Sequence, residues 1–206
     1  GGYDPYSSSK GAAEIAIASW RKSYFNPAKH EEHGKSIASV RAGNVVGGGD
    51  WAADRIIPDC IRALEQEKSI AIRSPKAIRP WQHVLEPLSG YLLLAQKMWE
   101  EPTKYCEGWN FGPHTESIVS VWDVAKKVVH EYGKGSLDDI SSPDALHETK
   151  LLMLDINKAA FELSWVPKMN INQCIALTID WYKRYKNESV YGLCCNHINQ
   201  FLNYSK

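Results

Sequence analysis

Between Tyr6 and Tyr24, apolar side chains recur at Ala13, Ala16, Ile17, Trp20 and Tyr24, the spacing of three and four that lines one face of a helix. Asp4-Pro5 supplies an N-cap followed by proline in the first turn, and Pro27 stops the helix. Residues 29–35, with two His and two Glu, read as a polar loop. Ile37, Ala38 and Val40 form a short apolar strand running into Arg41-Ala42-Gly43-Asn44, after which Gly47, Gly48 and Gly49 break the chain.

The pattern next predicts a helix over 55–65, where Pro58 is tolerable only in the first turn. A strand over 69–73, a turn at Ser74-Pro75 and a short extended stretch over 81–84 come after it. The helix over 86–100 has Pro87 at its start and Leu88, Tyr91, Leu92, Ala95 and Met98 along its stripe. Further on stand a strand over 107–111, a helix over 121–132 capped by Ser120 and closed by Gly133, and a strand over 150–154. Helices over 156–163 and 171–185 finish the ordered part. Strands alternating with helices imply an α/β architecture, and the helix-rich later half reads as a small mixed cap. Trp20, Trp99, Trp122 and Trp181 fall on helical stripes and are expected in the core; for the loop residues Trp51 and Trp81 core packing is expected, with lining of a site as the alternative.

With 206 residues, 44% hydrophobic and 23% charged, the chain can bury a core without a disulfide or metal staple. The 24 Lys+Arg and 24 Asp+Glu cancel, which removes the cationic surface that binds a phosphate backbone and excludes nucleic acid as a partner. No apolar run approaches the roughly 20 residues that cross a bilayer, and no basic stretch leads into an apolar one at the start, so a cytoplasmic protein is expected. Cys60, Cys106, Cys174, Cys194 and Cys195 are odd in number, without a Cys-x-x-Cys pair, so reduced thiols are expected. Cys194, Cys195 and His197 are too close together in the chain to suit one ion, and no metal site is expected. The chain opens at Gly1 without Met and enters a helix at once, which reads as the back part of a longer protein.

Tyr6-Ser7-Ser8-Ser9-Lys10 sets a phenol and an ammonium four residues apart, one above the other on a helix face. An ammonium beside a phenol favours the phenolate, which can then take or return a hydroxyl proton. The plainer reading is two exposed side chains. After the helix comes Arg41-Ala42-Gly43-Asn44-Val45-Val46-Gly47. The two motifs in this order resemble the extended short-chain dehydrogenase/reductase family, where a Tyr-x-x-x-Lys helix precedes a strand ending in Arg-x-x-Asn-Val-x-Gly. Gly48-Gly49-Asp50-Trp51, Asp54-Arg55-Ile56-Ile57-Pro58-Asp59, the run from Arg79 to Pro87 and Trp109-Asn110-Phe111-Gly112-Pro113 are similar to segments of the family's CDP-glucose 4,6-dehydratases. The likeness extends from Gly1 to at least Tyr182; Ser164 stands where the family usually has Gly.

The resemblance implies part of a doubly wound, Rossmann-like parallel sheet with a small mixed α/β substrate-binding cap: the back of an NAD-binding domain over 1–50, then mostly cap over 51–206 with returning Rossmann elements. It implies conversion of CDP-glucose to the 4-keto-6-deoxy sugar with a tightly held NAD, in deoxysugar and O-antigen (lipopolysaccharide) precursor synthesis. Tyr6 would take the C4 hydroxyl proton, water would be lost across C5 and C6, and reducing equivalents would return to C6. Lys10 would hold the nicotinamide ribose hydroxyls and favour the Tyr6 phenolate, and the backbone at Val45 would border the nicotinamide. Asn44 would hold the sugar-linked phosphate, Arg55 and Arg79 the nucleotide and diphosphate, with Asn110 and His147-Glu148 contributing from the cap. For each Arg a surface salt bridge is the bland alternative. Ala12, Ala16 and Ser19 leave a smooth strip on the first helix, which in this family often packs against its copy, so a homo-oligomer is expected.

The 206 residues hold no Gly-rich dinucleotide turn, and Gly47-Gly48-Gly49 comes after the Tyr-x-x-x-Lys helix. In the family the acid and base for water elimination also lie upstream of Tyr6, so the piece alone is expected to bind NAD poorly and turn over slowly or not at all. A related nucleotide-sugar epimerase or reductase, or a non-catalytic nucleotide-sugar-binding module, are the competing readings.

Overall fold

The computed structural model describes residues 4–142 and 152–204. Its helices are α1 (Pro5–Tyr24), α2 (His30–His33), α3 (Ile56–Glu65), α4 (Leu85–Glu100), α5 (Val121–Tyr132), α6 (Asn157–Leu163), α7 (Ile171–Arg184) and α8 (Val190–Asn203). The strands are β1 (Ser39–Ala42), β2 (Asn44–Val46), β3 (Ile70–Ile72), β4 (Ile78–His83), β5 (Gly108–Phe111), β6 (Ile118–Ser120) and β7 (Leu137–Asp139). They fold into two compact units, one made of Gly1–Arg41, Ser89–Phe111 and Ile156–Trp165, the other of Ala42–Leu88, Gly112–Asp155 and Val166–Lys206.

In the first unit β1 pairs with β5, and Ser39 donates its amide to the Glu107 carbonyl at 3.0 Å. Its core is Leu94, Tyr105, Trp109, Phe111, Ala159, Leu163 and Trp165. Phe111 and Trp165 meet edge to face with centroids 4.9 Å apart, a favoured aromatic geometry. A Cβ at Gly90 would overlap the Phe111 ring, so α4 can lie on β5 only with glycine there. The polar loop expected over 29–35 is instead a 3-10 turn and the single turn α2, capped by Asn26 and closed by Gly34 at φ 61°.

The second unit carries a three-stranded sheet in the order β2-β4-β6, with β2 parallel to β4 and β6 antiparallel to it. A parallel pair, β3 with β7, forms a separate small sheet. Ile57, Ile61, Leu64, Ile70, Ile72, Trp81, Val124, Val128, Ile175, Ile179 and Trp181 are among the buried side chains that join α3, α5 and α7 to the strands. Cys60 and Cys174 are in this core, where burial pushes the Cys60 thiol up to about 12 and Cys174 up as well. All five cysteines are free.

The α/β class with parallel pairing agrees with the sequence reading; several details do not. Leu152 to Leu154 form no strand, and Lys150 and Leu151 lie outside the described residues. β6, β7 and α8 were not anticipated. The two strands have three residues each, too few for alternation to register. α8 has no Lys, Arg, Asp or Glu and is identified only by burying Leu193, His197 and Phe201, one turn apart. Trp81 and Trp181 are buried as expected, whereas Trp20, Trp51 and Trp99 are 59%, 41% and 90% exposed. The helices of Trp20 and Trp99 present a second apolar side that is left exposed among the described residues.

Candidate active site

Asp4 fixes the start of α1, accepting from the Ser7 amide at 2.9 Å and from the Ser7 hydroxyl at 2.6 Å. Those two bonds hold its carboxyl below the usual range, hydroxyl first. The cap sets Tyr6 and Lys10 in regular helix, and the Lys10 ammonium lies 5.3 Å from the centroid of the Tyr6 ring, the cation–π geometry expected for side chains four residues apart. Tyr6 is 72% exposed, and no residue of α1 is buried. Glu14, one turn beyond Lys10, accepts from the Ser39 hydroxyl at 2.9 Å and pairs with Arg41 at 3.7 Å, tying α1 to β1.

Asn110, expected in the cap, is on β5 in the same unit as Tyr6 and Lys10. Trp109 and Phe111 face the core, so alternation turns Asn110 the other way. His147 and Glu148 lie outside the described residues.

In the second unit the register Asn44↔Trp81 and Val46↔His83 decides which residues share a face. Asn44 and Arg79 lie on the side of Trp81, while Val45 faces the opposite side with Gln82. Two of the three residues expected at phosphate, Asn44 and Arg79, thus share one face of the sheet, and Val45, expected beside the nicotinamide, points to the other. Trp81 donates its indole N–H to the Val119 carbonyl at 3.1 Å, and Arg79 turns one N–H to the Ile78 carbonyl at 2.8 Å. A Cβ at Gly43 would stand 2.6 Å from the Pro80 carbonyl oxygen, so the Arg-x-Gly-Asn motif needs glycine for β2 to approach β4.

The loop from Gly47 to Arg55 follows. Gly48 lies flat on the Trp181 indole, leaving no room for a Cβ. Trp51 meets Tyr182 edge to face at 5.1 Å and Tyr185 at 5.5 Å. The Tyr182 hydroxyl donates to the Asp50 carbonyl at 2.6 Å, and Arg62 donates to the Trp51 and Ala52 carbonyls while also pairing with Asp59. Asp50 accepts from the Ala52 amide at 3.0 Å and from Arg55 at 3.0 Å. Arg55 is the N-cap residue of α3 and provides no side-chain cap for its amides.

Two buried titratable groups end β4 and begin α4. His83, 3% exposed, accepts at Nδ1 from the Leu85 amide, and burial together with nearby His197 brings its pKa down to about 3. Glu86 accepts from the Lys168 and Met169 amides at 2.8 and 2.7 Å, while burial raises its pKa. Sequence reasoning quoted both within one motif and gave them no role; a His and an acid at an otherwise apolar strand–helix junction were the signal.

Within the first unit a phenol that can exchange a proton stands one helix turn from an ammonium; within the second, guanidinium groups that can bind an anion accompany a loop held by side chains of α3 and α7. No helix is long and apolar enough to cross a membrane, and no cluster of metal-ligating side chains occurs among the described residues.

Comparison with known proteins narrows these possibilities. The chain is 48% identical over 183 residues to the CDP-glucose 4,6-dehydratase of Salmonella typhimurium, covering 89% of this chain and 51% of that protein; it thus spans about half the relative's length. Among solved structures, a dTDP-glucose 4,6-dehydratase from Bacillus anthracis in complex with NAD superposes with a TM-score of 0.73 at 21% identity, over 91% of this chain and 54% of the other. The UDP-glucuronic acid 4-epimerase of Bacillus cereus, in complex with UDP-glucuronic acid and NAD, gives 0.70 at 19%, over 88% and 53%. At such identities the superpositions establish the Rossmann-like fold alone. The model of the NAD dependent epimerase/dehydratase family matches residues 3–106, half of the sequence and the stretch that holds Tyr6, Lys10, Asn44 and Arg79, and the chain belongs to that family.

Proposed function

We propose that this chain is part of an NAD-dependent CDP-glucose 4,6-dehydratase, a lyase that makes the 4-keto-6-deoxy sugar nucleotide. The observation that carries the reading is the 48% identity over 183 residues to an enzyme of that name, which separates it from epimerases of similar fold. The Tyr6–Lys10 pair supports the chemistry. The first fifty residues belong in this reading to the NAD-binding domain and the remainder mostly to the cap, and the packing of 89–111 and 156–165 with the first segment supports returning Rossmann elements.

The residues present suit the nicotinamide end of the cofactor: Lys10 offers three donors and Tyr6 one, on a solvent-facing helix side. When bound, NAD supplies a reversible oxidant at C4. Tyr6 takes the C4 hydroxyl proton at its phenol oxygen, and Lys10 holds ribose hydroxyls. The ketone then acidifies the C5 proton, so that water can leave across C5 and C6, and the reducing equivalents taken at C4 return to C6 as C5 regains a proton. Asn44 binds the sugar-linked phosphate and Arg55 and Arg79 the nucleotide diphosphate, which a neutral chain must attract locally. Val45 backbone borders the nicotinamide, and Asn110 and His147 are further contacts to the substrate.

The free thiols support a cytoplasmic setting, and deoxysugar precursor synthesis of the O-antigen or lipopolysaccharide kind is the use the product suits. The uncovered side of α1, with Ile15, Trp20 and Tyr24, supports association with a second copy. Incubation with CDP-glucose and NAD, alone and joined to the upstream half of a homologous dehydratase, tests the reading. The keto product is expected at least from the joined protein; consumption of another nucleotide sugar in preference to CDP-glucose overturns it.

A further inference from the structure

Asp50 and Arg55 form an ion pair whose two halves are held very differently. The carboxylate is fixed by the loop itself: Tyr182 and Arg62 bind the carbonyls of Asp50, Trp51 and Ala52, the Trp51 ring seats on Tyr182 and Tyr185, and the Ala52 amide donates to Oδ1. None of these contacts involves Arg55. The guanidinium, with its side chain 64% exposed, meets only Oδ2 of Asp50 among the described residues. Arg62, about two helix turns further on, makes the contrast, since its donors are engaged by two carbonyls and a carboxylate. Arg73, also exposed, pairs with Asp54 of the same loop at 2.7 Å.

A single exposed ion pair is weak and exchanges readily, whereas a guanidinium binds phosphate through two parallel charge-assisted bonds. A carboxylate that the backbone keeps in place beside that guanidinium competes with any incoming anion for it and repels the anion as well.

We infer that Asp50 is a placeholder for the substrate's diphosphate. It occupies Arg55 in the free protein, gives the guanidinium up when the nucleotide enters, and thereby lowers nucleotide affinity. This inference rests on the reading of Arg55 as a diphosphate contact. Asp50 touches neither substrate nor cofactor; it acts through Arg55, and the loop clamp of Trp51, Tyr182 and Arg62 is what keeps it from following the guanidinium.

Calorimetric titration with CDP at low ionic strength tests it on five proteins: the unaltered chain, Asp50→Asn, Arg55→Ala, the double variant and Asp54→Asn. Asn at position 50 still accepts from the Ala52 amide, so the loop is preserved. Asp50→Asn is expected to tighten CDP binding roughly two- to fivefold, the size of one exposed charge pair. That gain should vanish when Arg55 is Ala, and Asp54→Asn should change affinity by less than about twofold. Unchanged or weaker binding by Asp50→Asn overturns the inference, and so does equal tightening with and without Arg55, which would be a mere net-charge effect. If Arg55→Ala binds CDP as well as the unaltered chain does, or if that chain fails to bind CDP, the reading of Arg55 itself falls and the inference with it.

Discussion

Helices α1 and α7 both repeat apolar residues at helical spacing, yet α1 buries none of its 20 residues while α7 buries Ile171, Cys174, Ile175, Leu177, Thr178, Ile179, Trp181 and Tyr182. The spacing of a helix says that it has an apolar side and not what covers that side. The contrast also divides the labour. α1 offers Tyr6 and Lys10 outward because its residues are not needed for a core, whereas α7 is locked in one and can fix the loop of Gly48 and Asp50 through Trp181 and Tyr182. In the proposed reading, chemistry sits on the exposed helix, and the buried one holds the loop proposed to bind the anion.

The sharpest way to break this division is Tyr6→Phe. In any preparation that turns over CDP-glucose, kcat should fall by about 10²–10⁴-fold, while CDP affinity and the thermal midpoint stay where they were; near-normal turnover removes Tyr6 as the base. Next comes a matched pair of truncations. Trp181→Ala should cost about 3–5 kcal/mol in denaturant unfolding, whereas Trp20→Ala should stay within about 0.5 kcal/mol. If Trp20 costs as much as Trp181, α1 is covered after all.

A third test uses acid. Because the folded pKa of His83, about 3, is below its ordinary 6.5, the unfolded chain binds the proton first. Stability is therefore complete above pH 6.5 and is lost progressively as pH falls toward 3, by about 2 kcal/mol at pH 5. His83→Asn, neutral throughout, should remove most of that slope; an unchanged slope assigns it to other groups. The smallest effect concerns the C-cap of α6, where Ser164 sits at φ 56°. Ser164→Gly should raise stability by about 0.5–1 kcal/mol, since glycine enters this left-handed region without the Cβ clash. A loss of stability would show that the Ser164 side chain outweighs the backbone strain.

The Ser164 position shows how far sequence reading reached. The departure from Gly was visible, and only the backbone angle gave it a physical meaning. Helices with a capping residue and a strong stripe were legible: Asp4 and Ser120 do cap α1 and α5, and Gly133 does close α5 in the left-handed conformation. Tyr6 and Lys10 were legible as well, because four residues on a helix bring two side chains together without any tertiary partner. The polar turn α2 and the uncharged α8 were not, since short or weakly patterned elements draw their order from what they pack against.

Local covalent spacing therefore determined the α/β alternation, the cap residues and the phenol–ammonium pair. Tertiary structure alone decided that Asn44 and Arg79 share a sheet face while Val45 takes the other, that Trp20 and Trp99 stay uncovered, and that Asp50 holds Arg55. The reason is one of range: helical and strand periodicity fix directions within a few residues, whereas register between β2 and β4, and the seat of a loop on α7, depend on residues far apart in the chain whose contacts exist only once the core has formed.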